Sequence, residues 1–135
     1  MINSISKKIE DLKSDFDTLD NPMDKYEYII DLGKDKESIS KNIRQEINLI
    51  KGCVSKAWIC FESKDNPIKI ITDSDALIVR GLLSILENLI NDSDINDVKS
   101  LDGSTILNDI GIGYSISSQR TNGFVGAINR IKMEL

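Results

Sequence analysis

The chain has no histidine, two cysteines and two prolines among its 135 residues. Without histidine there is no imidazole general acid–base catalysis, no Ser–His or Cys–His nucleophile, and few of the usual zinc or copper sites. Two thiols, Cys53 and Cys60, are too few for a four-ligand zinc or iron–sulfur site unless carboxylates or a second chain help. No stretch approaches the roughly 20 apolar residues that a membrane-spanning helix needs. Met1 to Phe16 lacks the apolar run of a secretory signal and carries Glu10, Asp11 and Asp15, which argues against an organellar transit peptide. The expectation is a cytoplasmic protein with no membrane contact and reduced thiols. Basic residues are also short: 17 Lys and Arg face 22 Asp and Glu, a net charge of −5. That counts against nucleic acid, whose phosphates call for a basic face.

What is present is globular. Hydrophobic residues make up 40% and charged residues 29%, a balance that suits one domain over residues 1–135 with a core of its own. Ile5, Ile9, Leu12 and Phe16 recur at helical spacing and predict a helix over about 4–17. In "DNPMDKYEYIIDLG", Asp20 or Asn21 can cap a second helix, Pro22 fits its first position and Gly33 its stop, with Met23, Tyr26, Ile29 and Ile30 as the buried stripe. Lys34 to Gln45 reads as a long surface connection. Three strand-like segments follow: Glu46 to Ile50, Lys56 to Ser63 and Ile68 to Asp73. "KDNP" joins the last two into an antiparallel hairpin, with Ala57, Ile59 and Phe61 on one face and Trp58 and Cys60 on the other.

"DSDALIVRGLLSILENLI" predicts a helix capped by Asp73, Ser74 or Asp75 and apolar nearly all round, hence buried against the sheet; Gly81 within it allows a close approach. Short helices after Ser93 and Ser104 end in the glycines of "DIGIGYS". A last helix over about 118–133 turns Val125, Ile128 and Ile131 inward. The order predicts an α+β fold with a small, about three-stranded antiparallel sheet packed against helices.

The chemistry centres on "LIKGCVSKAWICFES". Gly52 lets the chain turn sharply ahead of Cys53, and Lys51 and Lys56 flank it. Nearby cations lower a thiol pKa and raise the fraction of nucleophilic thiolate. Two readings fit: a reactive cysteine in a loop between strands, or a small residue packed at a strand end. Cys60, among Trp58, Ile59 and Phe61, reads as a small hydrophobe rather than a resolving thiol.

"IKGCVSKAW", "DSDALIVRGLL" and "SSQRTNGF", in this order, resemble the SufE-type sulfur acceptors of iron–sulfur cluster assembly. "KYEYIIDLGK" resembles that family's N-terminal helix, and the likeness runs from about Pro22 to the C-terminus. The sequence departs from the family pattern at Ala57 and in carrying Cys60. The resemblance implies a SufE/IscU-like fold in which Cys53 accepts persulfide sulfur from a pyridoxal-phosphate cysteine desulfurase of the SufS type. It further implies stimulation of that desulfurase and delivery to a SufBCD-type scaffold, with no cofactor or metal resident on the chain. Gly52, Ser55, Asp75 and Arg120 match positions tied to the acceptor site or to partner docking. Their plainer readings are turn chemistry for Ser55, helix capping for Asp75 and solvation of a helix start for Arg120. Monomer and homodimer both stay open.

Three rivals remain at this stage. An IscU-type cluster scaffold would want about three cysteines plus a carboxylate or histidine. A thiol redox protein would use Cys53 with Cys60, and a pure adaptor would stimulate the desulfurase without using its thiol.

Overall fold

The computed structural model describes residues 5–35, 41–50, 55–65 and 67–135. The helical repeat of Ile5, Ile9, Leu12 and Phe16 forms α1 (Ile5–Asp17), with Phe16 fully buried and Ile9 and Leu12 packed at the margin of the core. In α2 (Pro22–Asp35) the Asn21 side-chain oxygen accepts from the Asp24 N–H at 2.9 Å and Pro22 takes the first helical position, as expected. Two expectations for this helix fail. Its buried line runs through Tyr26, Ile29, Ile30 and Gly33, so Met23 in the first turn is left 65% exposed. Gly33 does not stop the helix, which continues to Asp35; it is buried where α2 meets α3 (Leu77–Ile90).

That crossing is tight. A Cβ on Gly33 would fall on the carbonyl oxygen of Leu77, and one on Gly81 on the carbonyl oxygen of Ile29. Each helix contributes one glycine, and their backbones approach more closely than side chains allow. α3 is the centre of the core, as its apolar circumference predicts: Ile78, Leu82, Leu83, Ile85, Leu86, Leu89 and Ile90 are all buried. Full burial of one such side chain contributes about 1.5–3 kcal/mol. The helix packs on α2 and on the sheet and touches α1 and α6.

The hairpin pairs β1 (Ala57–Ser63) with β2 (Lys69–Ser74), Ala57 opposite Ser74 and Phe61 opposite Ile70, with an irregularity between Phe61 and Ser63. The expected third strand does not form. Glu46–Asn48 is a 3-10 turn, followed by a single bridge between Leu49 and Trp58. The hydrogen bonds explain the difference. The Ile50 N–H donates across to the Ala57 carbonyl at 2.8 Å, but the Asn48 and Leu49 N–H groups turn back locally to the carbonyls of Gln45 and Glu46 at 2.9 and 3.1 Å. The carbonyls of Ile47 and Leu49, on the side away from β1 in this pairing, accept from the Arg130 guanidinium at 2.7 and 2.9 Å.

The outer edge of β2 is also closed by side chains. Asn91 pairs with both backbone groups of Ile70, and the Glu87 carboxylate accepts from the N–H and hydroxyl of Thr72. Such cover removes an edge that would otherwise template further pairing. α3 ends at Ile90 with Asn91 as its cap, and Asp92 just beyond takes φ +62 where glycine is usual and donates its N–H to the Ile68 carbonyl at 3.2 Å. Lys8 of α1 donates to the Asn91 carbonyl and to Ser93 Oγ at this helix end, the favourable place for a cation, though burial pulls its pKa down.

Of the connection expected over Lys34 to Gln45, the first two residues finish α2 and Lys41–Ile43 is a 3-10 turn with Ile43 buried. In the last helix Ile128 and Ile131 face inward as expected, whereas Val125 is only half-buried and Phe124 takes the core position. α4 (Ile95–Lys99) is capped by Asp94, α5 (Ile106–Ile110) ends at Gly111 with φ +94, and Gly113–Ser115 is a 3-10 turn. α6 (Ser118–Glu134) buries Phe124, Ala127, Ile128 and Ile131. The architecture is α+β, a two-stranded antiparallel sheet packed against helices. Among the described residues no helix is long and apolar enough to cross a membrane.

Candidate functional site

The loop bearing the expected acceptor departs at Ile50 and returns at Ser55; Gly52 and Cys53 themselves lie outside the described residues. Its two stems are fastened. The Ile50–Ala57 hydrogen bond draws the ends together, and on the outgoing side the Lys56 carbonyl accepts twice, from the Asp75 N–H at 3.1 Å and from Ser74 Oγ at 2.7 Å. Ser74 Oγ also accepts from the Ala76 N–H at 3.2 Å. The corner between β2 and α3 is therefore tied to the chain leaving the loop.

This arrangement corrects the capping expectation. α3 begins at Leu77 with Ala76 in the cap position and no side-chain cap. Asp75 is exposed, and its carboxylate makes no hydrogen bond or ion pair among the described residues. Asp73 is buried instead, its side chain 5% exposed between two arginines. Arg44 Nε donates to Asp73 Oδ2 at 2.8 Å, and Arg80 Nε lies 3.2 Å from Oδ1 without aligning a hydrogen bond. The Arg44 guanidinium also lies over the ring of Trp58, 4.9 Å from its centroid. A carboxylate so deeply buried needs that compensation, since removing its partners would leave an isolated charge in a poor solvent.

Ser55 and Arg120 come together. Both line a small, partly enclosed cavity whose walls are Val79, Leu82 and Leu83 of α3 and Gln119, Gly123 and Phe124 of α6. It has room for about one water-sized group, about 20 Å³. The wall is mostly apolar, with the Arg120 side chain half-buried at the start of α6, where its N–H is bonded to Ser117 Oγ at 3.3 Å. Asp75 is not in this wall among the described residues. Trp58 is buried as core, and Cys60 is a half-buried free thiol in mid-strand opposite Ile71.

At the far end of the hairpin, Lys64 Nζ sits 2.6 Å from Glu134 Oε2, and Arg130 Nε 3.7 Å from Oε1. The Lys64 hydrogen bond holds the Glu134 carboxyl below its usual range. A depressed carboxyl pKa contributes stability above the unfolded value of about 4.3, and that contribution is lost as pH falls through the folded value. An NMR titration is expected to find Glu134 below the ordinary range in the native chain and back within it in Lys64→Met. Equal titration in the two proteins would refute the pairing.

A mixed α+β chain in which Ser55, just after the glycine–cysteine segment, and Arg120 line one small apolar cavity is the class of protein these observations define. The sequence model of the SufE family, the Fe–S metabolism associated domain, matches residues 10–135, and the chain belongs to that family. It is 34% identical over 130 residues to an uncharacterized SufE-like protein of Rhizobium etli, covering 93% of this chain and 88% of that one. It is 32% identical over 130 residues to a SufE-like protein of Rhizobium meliloti, covering 93% of each. Over 132 residues it is 30% identical to a protein of Wigglesworthia glossinidia brevipalpis named cysteine desulfuration protein SufE, covering 97% and 91%. Iron–sulfur metabolism is thus the setting of this fold.

The sequence does not single out Arg44, Arg80 or Arg130, and it offers Asp73 as a cap rather than as the buried partner of two arginines. Arg44 falls in a polar stretch without periodicity and finds Asp73 in a distant strand. Arg130 is one of the cations in the last helix, and its carbonyl partners Ile47 and Leu49 lie more than 80 residues away in the chain. Ser74 was within reach, since a serine between two aspartates was already a capping candidate.

Proposed function

We propose that the chain is a sulfur acceptor and carrier for iron–sulfur cluster assembly, working as one cytoplasmic domain over residues 1–135, with Cys53 as the acceptor. The Cys53 thiolate attacks the outer sulfur of a persulfide on a cysteine desulfurase. The donor's sulfur–sulfur bond breaks, the donor cysteine leaves as a thiolate, and a new sulfur–sulfur bond forms on Cys53. Nothing is oxidised or reduced overall, and the proton lost by Cys53 goes to solvent. A thiolate of a SufBCD-type scaffold then attacks the outer sulfur in the same way, and Cys53 returns to a thiolate. The desulfurase's own pyridoxal phosphate makes the first persulfide from free cysteine, so the acceptor needs neither imidazole nor metal.

The meeting of Ser55 and Arg120 at one cavity, beside the stem of the Cys53 loop, is the observation that carries this reading. An apolar recess shelters a persulfide from small thiols in solution, and the Arg120 charge favours the anion that transfer produces. Ser55 joins the cavity wall only two residues after Cys53 in sequence. The exposed Asp75 carboxylate is free to meet the partner desulfurase, whose turnover speeds up because Cys53 removes its persulfide sulfur. Membership of the SufE family and the name of the Wigglesworthia relative support the same chemistry.

The direct test is to incubate the protein with a cysteine desulfurase and cysteine, alkylate, and map the peptides by mass spectrometry. One extra sulfur is expected on the Cys53 peptide and none on the Cys60 peptide. A Cys53 peptide that stays unmodified while the donor turns over would overturn the proposal.

A further inference from the structure

The segment entering the acceptor loop is held from two sides by arginines that no motif singles out. From α6, Arg130 spans two carbonyls of that segment, Nη2 to Ile47 at 2.7 Å and Nη1 to Leu49 at 2.9 Å. From within the segment, Arg44 reaches across to the hairpin: Nε to Asp73 at 2.8 Å, Nη2 to the Ser74 carbonyl at 3.4 Å, and its plane over Trp58. Asp73 and Ser74 belong to the same corner that binds the outgoing stem through Lys56. The two stems are thus fixed to one frame, although the incoming one has no ladder of its own beyond the Leu49–Trp58 bridge.

Geometry explains why arginine does this. Its planar fork carries several donors in fixed directions, so one side chain can satisfy two carbonyls and orient both, whereas lysine offers a point charge. Hydrogen bonds from a charged donor are also stronger than neutral ones. We propose that Arg130 and Arg44 are positioning residues for sulfur transfer: they set the place and direction from which the acceptor loop springs, without touching the sulfur. The proposal rests on Cys53 being the acceptor, and its test separates the two ideas. A group that sets geometry changes the rate of the chemical step far more than the affinity for the partner, because misplacement by about an ångström can cost about 100-fold in rate.

Arg130→Gln and Arg44→Gln are each expected to lower the maximal rate of sulfur transfer from a cysteine desulfurase about tenfold, with little change in the acceptor concentration for half-saturation. Arg130→Lys, which keeps the charge but cannot span both carbonyls, is expected to recover only part of the rate. In the free proteins, without any donor, the Cys53 alkylation rate with iodoacetamide is expected to change several-fold in both glutamine variants. Thermal melts identify the temperature range in which each variant is folded, and all rates are read there. Folded variants with native transfer and native alkylation rates would overturn the proposal. So would a raised half-saturation at an unchanged maximal rate, which marks a partner contact. If native Cys53 takes up no sulfur at all, it is the acceptor reading that fails, and the alkylation rates still decide whether the two arginines set the loop.

Discussion

Cys53→Ser is expected to fold and to accept no sulfur. With donor and cysteine present, transfer falls by at least about two orders of magnitude, because a serine hydroxyl is not ionised near neutral pH and cannot carry a sulfane sulfur. Stimulation of the desulfurase by sulfur removal disappears with it. Cys60→Ser provides the contrast. Cys60 is half-buried in β1, where a hydroxyl costs about 1 kcal/mol of stability, yet transfer is expected to stay within about twofold of native. Radiolabel from cysteine sulfur, counted on the purified acceptor, measures both. A thiol redox protein predicts the reverse for Cys60, whose loss would abolish activity. A pure adaptor predicts that Cys53→Ser still speeds the desulfurase. Either result would replace the carrier reading.

Gly81→Ala is expected to be the most damaging single methyl that can be added to α3. On an exposed helix the change would help, since alanine is favoured over glycine by about 1 kcal/mol. Here the new Cβ lands on the Ile29 carbonyl oxygen of α2, and backbone cannot rotate away as a side chain tip can. Helix separation also opens the packing around Ile29 and Leu82, both buried. The net cost is about 3 kcal/mol, against a total stability of about 5–15 kcal/mol for a domain of this kind. Urea denaturation followed by circular dichroism reads it as a lower midpoint at similar slope. Gly33→Ala should behave alike, because its Cβ meets the Leu77 carbonyl oxygen and comes within 3.0 Å of the Gly81 nitrogen. A midpoint equal to native for Gly81→Ala would show that α2 and α3 do not cross as closely as described.

These glycines illustrate how far local reading reaches. Gly33 follows a helical pattern ending in "DLG", and a left-handed stop is the ordinary inference from that pattern. What makes it continue is a second glycine far along the chain, which no window over α2 contains. The third strand fails for a similar reason. "EINLI" has strand-like residues and lies beside β1, and one bridge does form there. Beyond it, residues 46–48 keep a 3-10 turn closed by their own backbone hydrogen bonds, while Arg130, from far along the chain, holds the Ile47 and Leu49 carbonyls on the side away from β1; strand propensity is too weak to undo that arrangement. Met23 was misplaced because a helical stripe shows which side faces inward and not how far along the helix its cover extends.

The amino-acid order by itself determined the helices, the hairpin, the buried character of α3, the absence of imidazole chemistry and the cysteine around which the function is argued. Each depends on neighbours within a few residues: side-chain periodicity, turn residues, caps and residue type. Only the tertiary structure decided that Ser55 and Arg120 share a cavity, that Asp73 is buried between Arg44 and Arg80, and that Arg130 holds two carbonyls of the segment entering the loop. Those outcomes depend on which distant group reaches a donor or acceptor first and on how nearly two backbones can touch, and both are properties of the packed chain.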